Sequence, residues 1–384
     1  MRKVYVVGTG STPVGEHWGQ TASSLANQAL AQALGEYPVD RLQALYVANA
    51  LGSSLGVQSQ IGTLIASNAG LATIEQLTIE AGGASGGVAL RQAYLAIASG
   101  IYDLVAVVGV EKVTDVLDNR LEAGLALGTD ADWEALHGTT LTAQWAMLMR
   151  RYMHQYGVNG GDFAAFPVNA HANGSANKQA LYRFPTSLEK VRAATPVADP
   201  LVLLDCSTIA DGAAVVILAA EGLAREFSDQ PVRIAGSAVG NDVVALHRRA
   251  DPLWLGAAAR STAGALHEAR LSISDINVLE FSDPHGIAAV LALEASGLAE
   301  RGTGVQLGIE GAINPKGRTP LATGGGYKSR GDVVGATGVY QIIELVRQLR
   351  GAAGTAQVAN AKTALAQCVS GVGVSAATHI LIAE

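Results

Sequence analysis

The feature that most limits what this chain can become is an α/β unit that occurs twice. Short apolar, mostly β-branched runs at 4–7, 44–47, 104–108, 214–218, 232–235, 278–281 and 379–382 are bounded by Gly, Asp or Asn. Such runs are what strands buried on both faces look like. Between them lie Ala/Leu-rich helical stretches at 22–35, 84–99, 141–156, 256–270, 286–298 and 334–350. Strands alternating with helices predict an α/β fold. The opening 4–8 matches 232–236, the helix-then-strand segment 22–50 matches 259–283, and the turn-plus-helix 82–100 matches 331–351. The offset grows along the chain, as loops of unequal length require. The repeat divides the chain into halves at 1–225 and 226–384, with a helical and loop insertion at about 115–200 in the first half.

Composition narrows the function. With 49% hydrophobic residues among 384, the chain can bury a large core. Glycine is abundant, at 45 residues, but the periodic apolar content argues for tight turns rather than disorder. A net charge of −7 argues against nucleic acid as a partner. No apolar run reaches the length of a membrane span, and MRKVYVVGTG runs directly into a strand pattern without a leader layout, so a cytoplasmic location is expected. Two cysteines, Cys206 and Cys368, cannot build a disulfide scaffold, and the histidines lack metal-ligand spacing, so no metal is expected.

Several familiar signatures fail on inspection. Gly8-Thr-Gly10 follows a strand, but the third position of a dinucleotide fingerprint is Pro13. Gly326-Tyr-Lys-Ser329 lacks the frame of a phosphate-binding loop, and no Gly-x-Ser-x-Gly elbow is present.

Four blocks in order carry a stronger signal. They are Glu80-Ala-Gly-Gly-Ala-Ser-Gly-Gly87, Asp199-Pro-Leu-Val-Leu-Leu-Asp-Cys-Ser207 followed by Ala210-Asp-Gly-Ala-Ala214, Gly325-Gly-Tyr-Lys-Ser-Arg-Gly-Asp332 with its continuation to Gly338, and Cys368-Val-Ser-Gly-Val-Gly373. With these blocks the whole chain resembles the thiolase superfamily, in its sterol-carrier-protein-x, lipid-transfer-protein and archaeal acetyl-CoA acetyltransferase branch. The resemblance implies two five-stranded α/β halves in α-β-α-β-α layers, usually as a dimer. It also implies acyl-CoA as substrate, no covalently bound cofactor, and often a small OB-fold zinc-ribbon partner. Thiolases carry the acyl group on a cysteine at a helix N-terminus, where the thiolate is favoured.

The chain departs from that pattern where the chemistry is done. The nucleophile position falls on Gly83, so no acyl-enzyme can form there. The position of the Gly-His-Pro histidine falls on Asp332, and the Asn-Glu-Ala-Phe or His-Asp-Ala-Phe segment falls on Ser282-Asp283-Pro284-His285. Only Cys368 keeps the place of the second, proton-moving cysteine. Asp332 is a candidate base that doubles as a helix cap. Tyr327 is a candidate donor to a hydroxyl or oxyanion, His285 a candidate pH-active group, Asp283 a site-wall acid, and Cys368 a proton relay or a relic. Cys206 reads as structural. The resemblance sets Gly83, Ser85, Gly325 and Gly326, with Arg248 and Arg249 at the adenine end, against the CoA thioester.

Three readings follow: carbon–carbon bond cleavage or formation on a β-hydroxyacyl-CoA without a cysteine, as in lipid-transfer-protein aldolases; an acetyltransferase using Cys368 or another group; or an acyl-CoA-binding subunit of a complex.

Overall fold

The computed structural model describes residues 2–116 and 119–384. In chain order the first half holds β1 (Val4–Ser11), α1 (Ala22–Leu34), β2 (Ala44–Ala48), α2 (Ile61–Asn68), β3 (Glu75–Ile79), α3 (Ser85–Ser99) and β4 (Leu104–Glu111). The intervening stretch forms α4 (Arg120–Ala126), α5 (Leu141–Tyr156), α6 (Ala165–Gly174), α7 (Leu188–Arg192) and a small hairpin of β5 (Pro196–Ala198) and β6 (Leu201–Val202). Next come β7 (Gly212–Ala220), α8 (Glu221–Phe227), β8 (Val232–Asn241), α9 (Gly256–Ala269), β9 (Val278–Phe281), α10 (Gly286–Ala295), α11 (Gly304–Ile309), α12 (Thr337–Leu349), β10 (Thr363–Ser370) and β11 (Ser375–Ala383).

The repeat is realised in the sheet. Its order is β3-β2-β4-β7-β1-β8-β11-β10-β9. In the first half β2 runs parallel to β3 and β4, while β7 is antiparallel to β4 and β1. In the second half β9 runs parallel to β10, while β11 is antiparallel to β10 and β8. The halves join where β1 and β8 pair antiparallel over Val4–Ile234, Tyr5–Arg233 and Val6–Val232. The second half has four strands rather than the expected five. The place matching β3 is reduced to a single Leu279–Leu321 bridge. Ala322, at φ +55°, turns the backbone away before a second residue can pair.

Alternation along the strands explains the layers. Val105 and Val107 of β4 face one apolar core, whereas Leu104, Ala106, Val108 and Val110 face another. Neighbouring strand residues point to opposite faces, so both faces of this strand are covered. Helices α1 and α2 cover the outer face of the first half. Helices α9 and α10 cover that of the second, and α3 and α12 lie between the halves. Each fully buried Val, Leu or Ile in these cores is worth about 1.5–3 kcal/mol relative to exposure. The two central helices cross at glycine. A Cβ on Gly86 would stand 2.9 Å from the Val339 nitrogen, and one on Gly338 would stand 2.7 Å from the Gly87 nitrogen. Among the described residues no helix is long and apolar enough to cross a membrane.

Candidate functional site

The N-terminal ends of the central helices border a cavity of about 350 Å³. Before α3, the 3-10 turn Gly82–Ala84 brings Gly82 and Gly83 to its wall. Before α12, Gly331 at φ +105° permits a turn that delivers Asp332 and Val334 to the same cavity. The Asp332 backbone is clamped to the 208–210 segment. Its N–H donates to the Thr208 carbonyl at 2.9 Å, and its carbonyl accepts from the Ala210 N–H at 2.9 Å. Its Oδ1 accepts from the Val334 N–H at 2.9 Å and the Thr337 hydroxyl at 3.2 Å. Asp332 therefore caps a helical turn and faces the cavity at once. Burial pushes its carboxyl up to about 6, against the pull of those donors.

Tyr327 sits on a π-turn, Gly326–Arg330, and reaches the same cavity. Its backbone N–H donates to Asp283 Oδ1 at 2.8 Å. Its hydroxyl lies 2.6 Å from Ser282 Oγ, which in turn accepts the Val369 N–H at 2.8 Å. Burial, with the Asp332 charge next in weight, raises this phenol well above 10 and keeps it protonated. His285, at the N-cap of α10, also lines the cavity, and burial lowers it to about 4, so its ring is neutral at physiological pH. Behind it a small cavity of about 10 Å³ is bordered by Asp205, Asp283, His285 and Lys328 together with Phe166, Pro167 and Ala170.

The structure thus brings Gly83, Ser282, His285, Tyr327 and Asp332 together and separates the remaining candidates from them. Asp283 borders only the small rear cavity and anchors the Tyr327 backbone. Ser85 is fully buried, accepting from the Ala81 N–H and donating to the Gly82 carbonyl, so it shapes the turn. Gly325 and Gly326, at φ +107° and +55°, form the bend that presents Tyr327. Arg249 is buried with its guanidinium on the Val372 and Val243 carbonyls, and it borders a separate cavity beside Trp133 and His247. Arg248 is exposed beside it. Cys368 does not line the reaction cavity. It is packed among Ala84 and Ala377, and burial pushes its thiol up to about 12. Cys206 does border the cavity, but burial, reinforced by Asp205, pushes its thiol up to about 12 as well. Neither sulfur is a thiolate at neutral pH.

Sequence reasoning missed Ser207, Trp145 and Ser282 as wall residues. Ser207 lay within the Asp-Cys-Ser block and Ser282 opened the Ser282-Asp283-Pro284-His285 segment, so both had a local signal, whereas Trp145 had none. It missed Glu111 too, buried at the end of β4, where its carboxylate oxygens accept from the Ala50 and Leu51 N–H groups.

Burial holds several carboxyls above their ordinary values: Asp205 and Asp283 near 7, Glu111 near 8. A raised folded value means the fold prefers the proton. The contribution is complete below the unfolded value near 4 and is lost as pH rises through 7 and 8. The buried His285 works in the opposite sense, but only below about 6.5. Thermal melts are therefore expected to fall by several degrees between pH 6.5 and 8.5. A flat profile would mean these groups are ionised in the fold.

Comparison with known proteins agrees with this architecture. The family profile "Thiolase, N-terminal domain" matches residues 4–222, and "Thiolase C-terminal domain-like" matches 238–383. An acetyl-CoA acetyltransferase of Methanothermobacter thermautotrophicus is 39% identical over 382 residues, covering 99% of each chain. The benzoylsuccinyl-CoA thiolase subunit BbsB of Thauera aromatica is 30% identical, covering 91% of this chain and 89% of its own. Among solved structures, the Ltp2-ChsH2(DUF35) aldolase superposes with a TM-score of 0.87 at 24% identity, over 99% of this chain and 98% of that one, which speaks to the fold. With both halves matched and the layered sheet in place, the chain belongs to the thiolase family.

Proposed function

We propose that this protein cleaves or forms a carbon–carbon bond in a β-hydroxyacyl-CoA by aldol chemistry, without an acyl-enzyme. The observation that carries the reading is the cavity itself. It holds a carboxylate and a protonated phenol, and Gly83, the position that the resemblance gives to the nucleophile, offers only backbone to its wall. In the cleavage direction Asp332 takes the β-hydroxyl proton, and the β-carbon becomes a carbonyl as the Cα–Cβ bond breaks. The bond's electron pair moves into the thioester as an enolate. The positive end of α3 at Gly82 and Gly83 stabilises that charge. The Tyr327 hydroxyl gives its proton to Cα, and protonated Asp332 returns one to the tyrosinate. An aldehyde or ketone and a shortened acyl-CoA leave.

A second reading, acetyl transfer, is favoured by the 39% identical relative, an acetyl-CoA acetyltransferase. Intact-protein mass spectrometry after exposure to acetyl-CoA and acetoacetyl-CoA separates the two. The aldol reading expects no adduct and turnover of β-hydroxyacyl-CoA that survives thiol alkylation. An acetyl adduct that disappears in Cys368→Ala would replace it with transfer. CoA-thioester binding without turnover, alone or with a partner, would leave a binding subunit. The Ltp2-ChsH2(DUF35) aldolase joins two proteins in its name, one of them a DUF35 protein. That pairing supports assaying this chain both alone and with a DUF35 partner of that kind.

A further inference from the structure

The cavity wall has a charge pattern that the bond-breaking chemistry does not require. Its carboxylates are Glu80, Glu122 and Asp332, and no Lys or Arg lines it among the described residues. The His285 ring adds no positive charge at neutral pH. Beyond the reacting groups, one stretch of the wall comes from α4, α5, α10 and the segments flanking them, and the rest comes from the 50–54 and 369–371 segments and neighbouring loops. The first stretch presents Leu125, Leu127, Leu141, Trp145, Ala288 and Ala292. Helix α5 packs against both α4 and α10, so these side chains belong to contiguous elements. Ala288 and Ala292 are one helical turn apart and share a face of α10. Both are methyl-sized where the helix is otherwise rich in Val, Leu and Ile.

We propose that the cavity selects a neutral, apolar acyl group, rejects one that ends in a carboxylate, and takes its length limit from Ala288 and Ala292. The proposal rests on the acyl-CoA reading above for its ligand, though not on turnover. A carboxylate brought down to the buried end of this wall would lose its hydration, meet no cation, and face Asp332. An alkyl or aryl group would instead exchange water for leucine, tryptophan and alanine side chains. Each buried methylene should then tighten binding by roughly fourfold. Larger side chains at 288 or 292 would occupy the volume that the far end of the chain needs.

The test is calorimetric binding of a saturated acyl-CoA series to the full chain, alone and with the partner where one is found. Butyryl-, hexanoyl- and octanoyl-CoA should bind progressively tighter, and glutaryl-CoA at least about tenfold weaker than pentanoyl-CoA. Ala292→Leu should abolish the gain from butyryl to octanoyl, with an unchanged circular-dichroism spectrum and melting temperature reporting that the variant is folded. Ala288→Leu provides the same measurement at the neighbouring turn. Affinity independent of chain length would overturn the proposal, as would glutaryl-CoA binding as tightly as pentanoyl-CoA. If the variants do not fold, the wild-type series alone still supports or overturns it. Saturated thioesters are not cleaved, so a failed cleavage assay leaves this result standing, and a failed binding series leaves the cleavage assay to its own outcome.

Discussion

Asp332→Asn is expected to lower β-hydroxyacyl-CoA cleavage by about 10³-fold with little change in KM. General base catalysis by a positioned side chain is worth about 10²–10⁴-fold. The substitution is close to isosteric. Asn retains an oxygen to accept from the Val334 N–H and the Thr337 hydroxyl, so the cap on the turn before α12 persists. What disappears is the proton acceptor. In the wild type the rate should climb as pH rises through about 6, where the carboxyl ionises, and the residual rate of the variant should lack that limb. Full activity in Asp332→Asn, with the limb intact, would move the base elsewhere. A collapse in thermal stability without a change in the pH profile would make the residue a cap only.

Gly83→Cys is expected to destabilise the protein and to install no acyl-enzyme. A Cβ at residue 83 would stand 2.8 Å from the Val369 carbonyl oxygen. That oxygen belongs to β10, which at Val369 pairs with Ala376 of β11 and donates its N–H to Ser282 Oγ, so the strand resists withdrawal. Forcing atoms into packed space of this kind costs about 1–3 kcal/mol. Even a tolerated thiol would find weak bases around it, with Asp332 near 6 and His285 near 4. A lower melting temperature and an unmodified mass after acetyl-CoA are the expected results. Acetylation at residue 83 would mean the strand yields and that one substitution separates this chain from cysteine chemistry.

Much of this was legible in the sequence, for identifiable reasons. The segment 141–156 reads as a helix because Trp145, Leu148, Met149 and Tyr152 recur at helical spacing, and α5 occupies those residues. The doubled α/β unit survives as matched strand directions in the two halves. Strand β8 runs on to Asn241, beyond the apolar run. Its Gly236 and Gly240 look like a strand end in sequence, but they let α9 approach, and a Cβ on Gly236 would lie 2.0 Å from the Ala265 carbonyl oxygen. β3 was missed because Glu75–Ile79 is a partly exposed edge with little apolar signal. In the site, Asp332 was singled out because it falls on the position of the family's Gly-His-Pro histidine, and Tyr327 because it lies five residues before it, and both line one cavity. Cys368 was weighed by its place in a motif, and nothing local reveals that its sulfur sits behind the cavity wall. The wall from α4 and α5 was not readable either, since that long segment acquires a role only by folding over residues from both halves.

The glycine crossing of α3 and α12 has a consequence for how this protein could have diverged. The turns preceding these helices occupy equivalent places in the two halves, and both end on one cavity. One turn presents bare backbone at Gly82 and Gly83, while its counterpart carries Asp332. On the aldol reading proposed above, a duplicated element would divide its labour, one copy shaping the floor and the other moving protons. Neither copy would be free to change its spacing, because the helices behind them touch through backbone atoms. New chemistry in this scaffold would enter through the side chains at the two tips, leaving the frame that aims them unaltered.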